Sequence, residues 1–514
     1  MAIVEPLPET SEGRRRLGIR SPATREPVGE IVVNRREDVE AAIAKARDAQ
    51  QEWARVPIAE RARIVRSAID ILVERREQVV ETIINETGKT RLEALMMEIV
   101  PSCDYLNFWS QRAVKELSDE KRKLHGYLRP VKKLIMHYRP LGVVGVITPW
   151  NGPFSLAINP TVQAILAGNA VILKPSEVAP YSGDWAIKLL REAGVPEGVA
   201  QTVHGDGETG AALVNGGVQK ISFTGSVNTG KKIAAACAEQ LIPYSLELGG
   251  KDAMIVCADA DLERAAGGAV FNSMLNSGHV CMSVERVYVV ESVADEFEER
   301  VANIVKELRY GAGGDIDIGP VFWDRQLPII ERHIEDAKAK GAEIVLGGEA
   351  DKATAGLFYK PTFVRNVDHT MDLMREETFG PIVSVMRVKD EEEAIRLAND
   401  SHYGLSGSVW TRNIQKGIEI AKQMETGSVV INDASMAYGA PEAPFGGMKD
   451  SGVGHVNGLG ALRSYTHQQP ILIHRWAQKK ERVWYPHTPK AIEEIDGMIR
   501  IIYGTSLKKL GFFS

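Results

Sequence analysis

The chain has 514 residues, too many for one ordinary core at about 100 to 200 residues per domain, so two or three domains are expected. At 44% hydrophobic and 25% charged residues, it has the make-up of a soluble globular protein and lacks the bias of disordered, collagenous or membrane classes. Lys plus Arg number 62 against 68 Asp plus Glu, and the formal charge of −6 gives no net attraction to nucleic acid or acidic lipid.

Glu5, Glu9 and Glu12 crowd the N-terminus, and no apolar run leads to a small-residue cleavage site, so no secretory signal is expected. The basic run at 13–16 reads as a solvated loop. Over 39–92 apolar residues recur at helical spacing, with Pro57 and Gly88 as punctuation, which predicts a helical region. From about Lys133 the texture changes. Short apolar runs at 143–148, 170–174, 200–204, 221–224 and 253–257 alternate with helix-like segments at 157–167, 184–193 and 230–240. Continuous apolar strands separated by helices predict a parallel sheet covered on both faces, a doubly wound nucleotide-type domain.

A second α/β series follows just after Gly249 and Gly250, with strands at 286–290, 343–346, 382–387, 407–410 and 428–432 and helices at 294–309, 327–340 and 391–399. Beyond Arg475, Ile492, Ile495, Ile499 and Ile502 form one stripe after Thr488 and Pro489. This predicts an amphipathic helix that packs on this protein or on a sister subunit rather than on a membrane. No stretch approaches the roughly 20 apolar residues that span a bilayer. The four cysteines, Cys103, Cys237, Cys257 and Cys281, are widely spaced without a CxxC pair. They suggest neither a disulfide framework nor a metal site, and a reducing, cytoplasmic setting.

Three short segments carry chemistry. Cys281 lies in a small-residue loop after Gly278, although a lone cysteine reads first as a buried core residue. Glu247 ends an apolar strand in LELGGK, where a buried carboxylate either pairs with a cation or has a raised pKa suited to general base work. Asn151 stands in PWNGP (149–153), whose prolines restrict the backbone around an amide able to donate to an oxyanion. Each signal is weak alone.

Together with EETFGP at 376–381 and PFGG at 444–447, these segments occur in the order and spacing that resemble the aldehyde dehydrogenase superfamily, over roughly residues 20 to 470. The resemblance implies an α/β fold: a Rossmann-like NAD-binding domain from 1–121 and 141–248, and an α/β catalytic domain over 249–449. It also implies a β oligomerisation arm from 122–140 and 460–475, with 476–514 left as a C-terminal extension carrying the amphipathic helix. A homodimer or homotetramer is then expected, since exposed strand edges pair with other chains.

By the same resemblance Cys281 would attack an aldehyde as a thiolate, and the oxyanion would be held by the Asn151 amide and the Cys281 N–H. Glu247 would activate the water that hydrolyses the thioester, so a carboxylic acid, rather than an acyl-coenzyme A, is the expected product. The cofactor would be NAD, with NADP admissible. It would be bound through Trp150, Gly225, Ser226, Leu248 and Gly207, with Lys174 and Glu177 at the adenosine ribose and Glu377 and Phe379 at the nicotinamide end. The carboxylate of Glu177 would repel a 2′-phosphate, which favours NAD.

Two departures from the family pattern stand out. His279 replaces a usual glutamine and is expected to hydrogen-bond within its loop, and Gly152 replaces a frequent aromatic and hints at a wider pocket. A medium-sized apolar or aromatic aldehyde is the expected substrate. A succinate-semialdehyde-type acidic aldehyde and a non-catalytic scaffold on the same fold are the alternatives.

Overall fold

The computed structural model describes residues 2–481 and 483–509. The N-terminal helix Arg36–Trp53 opens with the Arg35 N–H donating to the Asp38 carboxylate at 2.9 Å and buries Val39, Ile43, Ala46 and Trp53 along one face. A 30-residue helix, Ile58–Thr87, follows and stops at Gly88, whose φ of 71° suits glycine at a helix C-terminus. These two helices occupy the segment expected to be helical. Ahead of them lies a three-stranded antiparallel sheet of Val4–Leu7, Arg16–Arg20 and Pro27–Val32, which apolar periodicity did not reveal because its strands are short and mostly half-exposed.

The next helical stretch is continuous but irregular. A π-helical turn, Ala94–Ile99, runs directly into the helix Val100–Leu117, which carries Pro101 at its start. Proline lacks an N–H to donate four residues back, which favours a bulge of this type at that point.

Two open sheets form the body. The first has six strands in the order Gly452–Val453, Tyr244–Glu247, Lys220–Thr224, Val143–Ile147, Ala170–Lys174 and Ala200–Thr202. All but the first are parallel. The central strands Val143–Ile147 and Ala170–Lys174 are buried at every residue, as helices on both faces require. Strand Val143–Ile147 lies between Ala170–Lys174 and Lys220–Thr224, so the chain order reverses there, and a crevice opens at the strand carboxyl ends. The second sheet has seven strands in the order Glu343–Leu346, Thr362–Arg365, Ile382–Val388, Val284–Val290, Asp252–Val256, Ser406–Trp410 and Ser428–Ile431.

A third sheet projects as an arm. Strand Lys132–Pro140 pairs antiparallel with Thr466–His474 along their whole lengths, and Glu120–Arg122 adds a third strand. Residues 126–128, expected to be extended, instead form a 3₁₀ turn at Gly126–Leu128, where Gly126 has a φ of 65°. The helix Gly458–Arg463 contacts the arm strand Thr466–His474 and also packs on the helices Val100–Leu117 and Ser155–Leu166 of the body. The helix Pro489–Gly504 begins with Thr488 accepting from the Ala491 N–H at 3.2 Å, and none of its residues is buried. No helix among the described residues is long and apolar enough to cross a membrane.

Candidate active site

Cys281 follows a turn in which three consecutive residues have positive φ: Asn276 (58°), Ser277 (57°) and Gly278 (77°). The left-handed region costs a non-glycine residue about 1–2 kcal/mol, so the turn must be held from outside. The Asn276 N–H donates to the Glu93 carboxylate at 2.6 Å, and the Ser277 hydroxyl donates to the Gly319 carbonyl at 3.0 Å. At position 278 a Cβ would lie 2.0 Å from the Gly380 carbonyl oxygen, so only glycine fits.

Asn151 is tied to the same turn. Its Nδ2 donates to the His279 carbonyl at 2.9 Å, which uses one of its two protons and leaves one for another acceptor. Its own carbonyl accepts from Asn276 Nδ2 at 2.9 Å and from the Lys89 ammonium at 3.1 Å. Lys89 forms an ion pair with Glu98, both side chains fully buried. The second Glu98 oxygen accepts from the N–H groups of Phe154 (3.2 Å) and Ser155 (2.8 Å), where the helix Ser155–Leu166 begins.

Glu247 closes its strand with 4% exposure, and neither carboxylate oxygen has a hydrogen-bond partner. Burial raises its pKa well above the ordinary carboxylate range. Gly446, of the PFGG segment, passes so near that a Cβ there would lie 3.2 Å from Glu247 Oε1. Glu377 accepts from the Gly250 N–H at 3.1 Å and is pushed up to about 8 by burial and by the nearby Glu285. The Cys281 thiol is held above its usual range by burial first, then by the carboxylates of Glu377, Asp252 and Glu247.

Two cavities meet at this point. The larger, 420 Å³, is walled by Cys281, Asn151, Glu247 and Leu248 on one side. Trp150, Gly225, Ser226, Glu377 and Phe379 complete it from the two sheets. Ser226 precedes the helix Val227–Gln240 without capping it, and no acidic side chain sits in the first turn, so unsatisfied N–H groups are offered beside the cleft. The other expected cofactor residues stand apart from this cavity. Lys174, at the end of its strand, pairs with Glu177 at 3.4 Å, and Gly207 opens the helix Gly207–Asn215. Lys174 is level with Ile147 and Ile147 with Phe223, and Glu177 and Gly207 follow the carboxyl ends of the neighbouring parallel strands Ala170–Lys174 and Ala200–Thr202.

The smaller cavity, 190 Å³, also touches Asn151 and Cys281. Its walls are mainly apolar, with Met97, Leu156, Leu275, Val280 and Met282, and no charged side chain among the described residues lines it. Elsewhere, Cys257, Asp259 and Glu391 converge in a way that suits a cation. The Lys416 ammonium, 2.5 Å from Glu391 and 3.7 Å from Asp259, already supplies that charge.

The family profile described as the Aldehyde dehydrogenase family matches residues 9–471. The chain belongs to the aldehyde dehydrogenase family. It is 38% identical over 484 residues to a Methylomonas protein named 4,4'-diapolycopene aldehyde oxidase, covering 94% of this chain and 91% of that one. It is 40% identical over 448 residues to a Mycolicibacterium smegmatis protein with the provisional name NADP(+) succinate-semialdehyde dehydrogenase, covering 87% and 86%. The crystal structure of a Mycobacterium tuberculosis aldehyde dehydrogenase complexed with NAD+ superposes with a TM-score of 0.86 at 35% identity, covering 92% of this chain and 97% of that one.

In this aldehyde dehydrogenase the two departures have distinct outcomes. Gly152 lines the 190 Å³ cavity, and a Cβ there would press on Leu156 at 3.1 Å. The His279 ring makes no hydrogen bond, contrary to the expectation, because it is wholly buried among Phe322, Trp150 and Phe379 with centroid distances of 4.6, 5.1 and 5.5 Å. Burial drops its pKa to about 3, so the ring is neutral, and its backbone serves the loop: the carbonyl accepts from Asn151 and Asn276 and the N–H donates to the Asn276 carbonyl at 2.9 Å. Sequence reasoning missed Lys89, Glu93, Glu98 and Asn276 altogether. A usable signal was Glu98 itself, one charge inside the apolar run 94–101.

Proposed function

We propose that this protein oxidises an aldehyde to the carboxylic acid with NAD(P), using Cys281 as nucleophile. The observation that carries the reading is the position of Cys281 and Asn151 in the walls of both cavities, with the unpaired Glu247 carboxylate in the larger one. The aldehyde carbon enters from the apolar cavity and the sulfur bonds to it, while the carbonyl oxygen takes the negative charge. The free proton of the Asn151 amide and the Cys281 N–H receive that charge, and losing such a donor typically costs about a hundredfold or more in rate.

The larger cleft fits a dinucleotide. The uncapped helix start at Ser226 suits its pyrophosphate, and a Cβ at Gly249 would strike the Glu377 carboxylate at 2.4 Å, so glycine there leaves Glu377 in place at the nicotinamide end. The oxidised cofactor, when bound, supplies the acceptor for the hydride that leaves the substrate carbon. Cys281 then carries a thioester, and Glu247 takes a proton from the water that cleaves it. A carboxylate whose pKa burial has raised is suited to that work near neutrality. Glu177 beside Lys174 favours NAD over NADP, because a 2′-phosphate would meet its negative charge.

The uncharged walls of the 190 Å³ cavity support an apolar or aromatic aldehyde; a succinate semialdehyde would find no cation there. The exposed arm strands support a dimer or a dimer of dimers, and four unpaired cysteines support a reducing compartment, the cytoplasm. The test is reduction of NAD and NADP against aliphatic, aromatic and semialdehyde substrates, with Cys281→Ala as control. Turnover lost in that variant is expected. No cofactor reduction with any aldehyde would sink the proposal.

A further inference from the structure

The 190 Å³ cavity is smaller than the roughly 300 Å³ at which ligand pockets usually begin, so it accommodates the reactive head of a substrate and little more. Met96, Pro101 and Gly439 border it, and the same three residues border an open groove of 570 Å³ on the outer surface. The two spaces therefore lie on either side of a thin shared wall between the π-helical turn and the loop at Gly439.

Ile69, Met96, Val100 and Pro101 give that groove apolar walls, and Arg66, Asp70, Asp104 and Asn107 give it a polar rim, Asp104 and Asn107 lying one and two turns beyond Val100 on the same helix. Val100 is 63% exposed and Met96 39%, and at the mouth of the inner cavity Met436 and Phe271 are also exposed. Large apolar side chains gathered around an opening, rather than scattered singly, mark a surface that is covered in use. The turn that carries Met96 is itself fixed, because Glu98 on the same turn is locked into the buried pair with Lys89. The shared wall is thus a built feature of a rigid segment.

We infer that the substrate is an elongated aldehyde: its head lies at Cys281, its apolar stem passes between Met96 and Gly439, and its far end reaches the polar rim. The inference rests on the aldehyde-oxidising reading of Cys281 and names the substrate class of that same site. A chain too long for the inner cavity continues to bury methylenes along Val100 and Ile69, which is a gain that a short aldehyde cannot make.

The test is a kcat/KM series of straight-chain aldehydes from propanal to dodecanal, with Val100→Asp beside the parent enzyme. Val100 is 63% exposed on a continuous helical stretch, so a carboxylate there stays in solvent. In the parent, kcat/KM is expected to rise about fourfold per added methylene once the stem enters the groove, and to level off at the rim. Val100→Asp should cut dodecanal oxidation about tenfold and leave propanal unchanged. A second measurement, calorimetric titration with dodecanoate and propanoate, reads the groove without turnover, and dodecanoate should bind more tightly and lose that advantage in Val100→Asp. A flat or falling series with propanal oxidised normally overturns the elongated substrate alone. Dodecanoate binding that depends on Val100 in a protein that oxidises no aldehyde supports the channel and overturns the reading of Cys281. Equal binding of the two acids overturns the channel.

Discussion

Replacing Lys89 by methionine tests whether the loop that carries Asn151 is held from below by a buried ion pair. Methionine fills nearly the same space, so the cost is electrostatic: the Glu98 carboxylate loses its ion-pair partner at 0% exposure and the Asn151 backbone carbonyl loses one of two donors. Breaking a buried pair from one side costs about 3–5 kcal/mol. Glu98 still accepts from the N–H groups of Phe154 and Ser155, which places the expected loss near the lower end, about 3 kcal/mol. Urea unfolding of the variant and the parent measures it.

The same change should lower kcat about tenfold, less than the hundredfold or more that accompanies outright loss of an oxyanion donor, because the Asn151 amide remains but is less well fixed. The double variant with Glu98→Gln removes the stranded charge and should recover part of the stability, with a coupling of about 1–3 kcal/mol between the two sites. A Lys89→Met protein within about 1 kcal/mol of the parent and with unchanged kcat would refute the reasoning, as would strict additivity of the two changes.

Three further outcomes are expected. Glu247→Gln should stop turnover after one equivalent of reduced cofactor per site, and in the parent the hydrolytic step should quicken with rising pH through a region above the ordinary carboxylate range, because the base acts only when ionised; normal steady-state rates in the variant would contradict its role. Gly278→Ala forces a Cβ to within 2.0 Å of the Gly380 carbonyl at a φ of 77°, so it should cost more than the about 1–3 kcal/mol of backbone strain alone, read as loss of unfolding free energy and of activity. His279 is held neutral with a pKa near about 3 against 6.5 ordinarily, so the unfolded chain binds a proton that the native one refuses, and stability falls as pH drops from 6.5 towards 3. His279→Leu should remove that slope, up to about 1.4 kcal/mol per pH unit, and an unchanged acid limb in urea titrations would count against it.

Much of this architecture was legible in the sequence because its signals are periodic or conformational. Uninterrupted apolar strands such as 143–147 and 170–174 announce a covered parallel sheet, and the glycines of LELGGK and PFGG mark places where backbones must pass close to Glu377 and Glu247. The N-terminal sheet was not legible, since its strands are brief and carry as many exposed as buried positions. Nor was the support beneath Asn151. Lys89 follows a helix end and Glu93 and Glu98 sit in helical sequence where charged residues are ordinarily solvent-facing, and only tertiary packing brings Lys89 and Glu98 under the Asn151 loop some 60 residues away and Glu93 under the Asn276 turn. His279 failed for the opposite reason: a polar residue in a glycine-rich loop suggests a hydrogen bond, but the aromatic walls that surround it come from Trp150, Phe322 and Phe379, far apart in the chain.

The electrostatics of the site also bear on where the proton of Cys281 goes. Three carboxylates, Glu377, Asp252 and Glu247, each raise the thiol's pKa, and burial raises theirs, so the four groups titrate as a coupled set that favours the neutral thiol at rest. A thiolate forms only if a proton leaves the set or moves within it. Glu377 is engaged by the Gly250 N–H and Asp252 by the Ser406 N–H, and such bonds favour their ionised forms only partly against burial. Glu247 alone has both oxygens free and lines the same cleft as the sulfur. Since one equivalent of reduced cofactor is expected without the Glu247 carboxylate, the thiol proton has another exit, and Glu247 is proposed for the proton of the water alone: of the three carboxylates it is the one whose lone pairs no backbone donor has claimed.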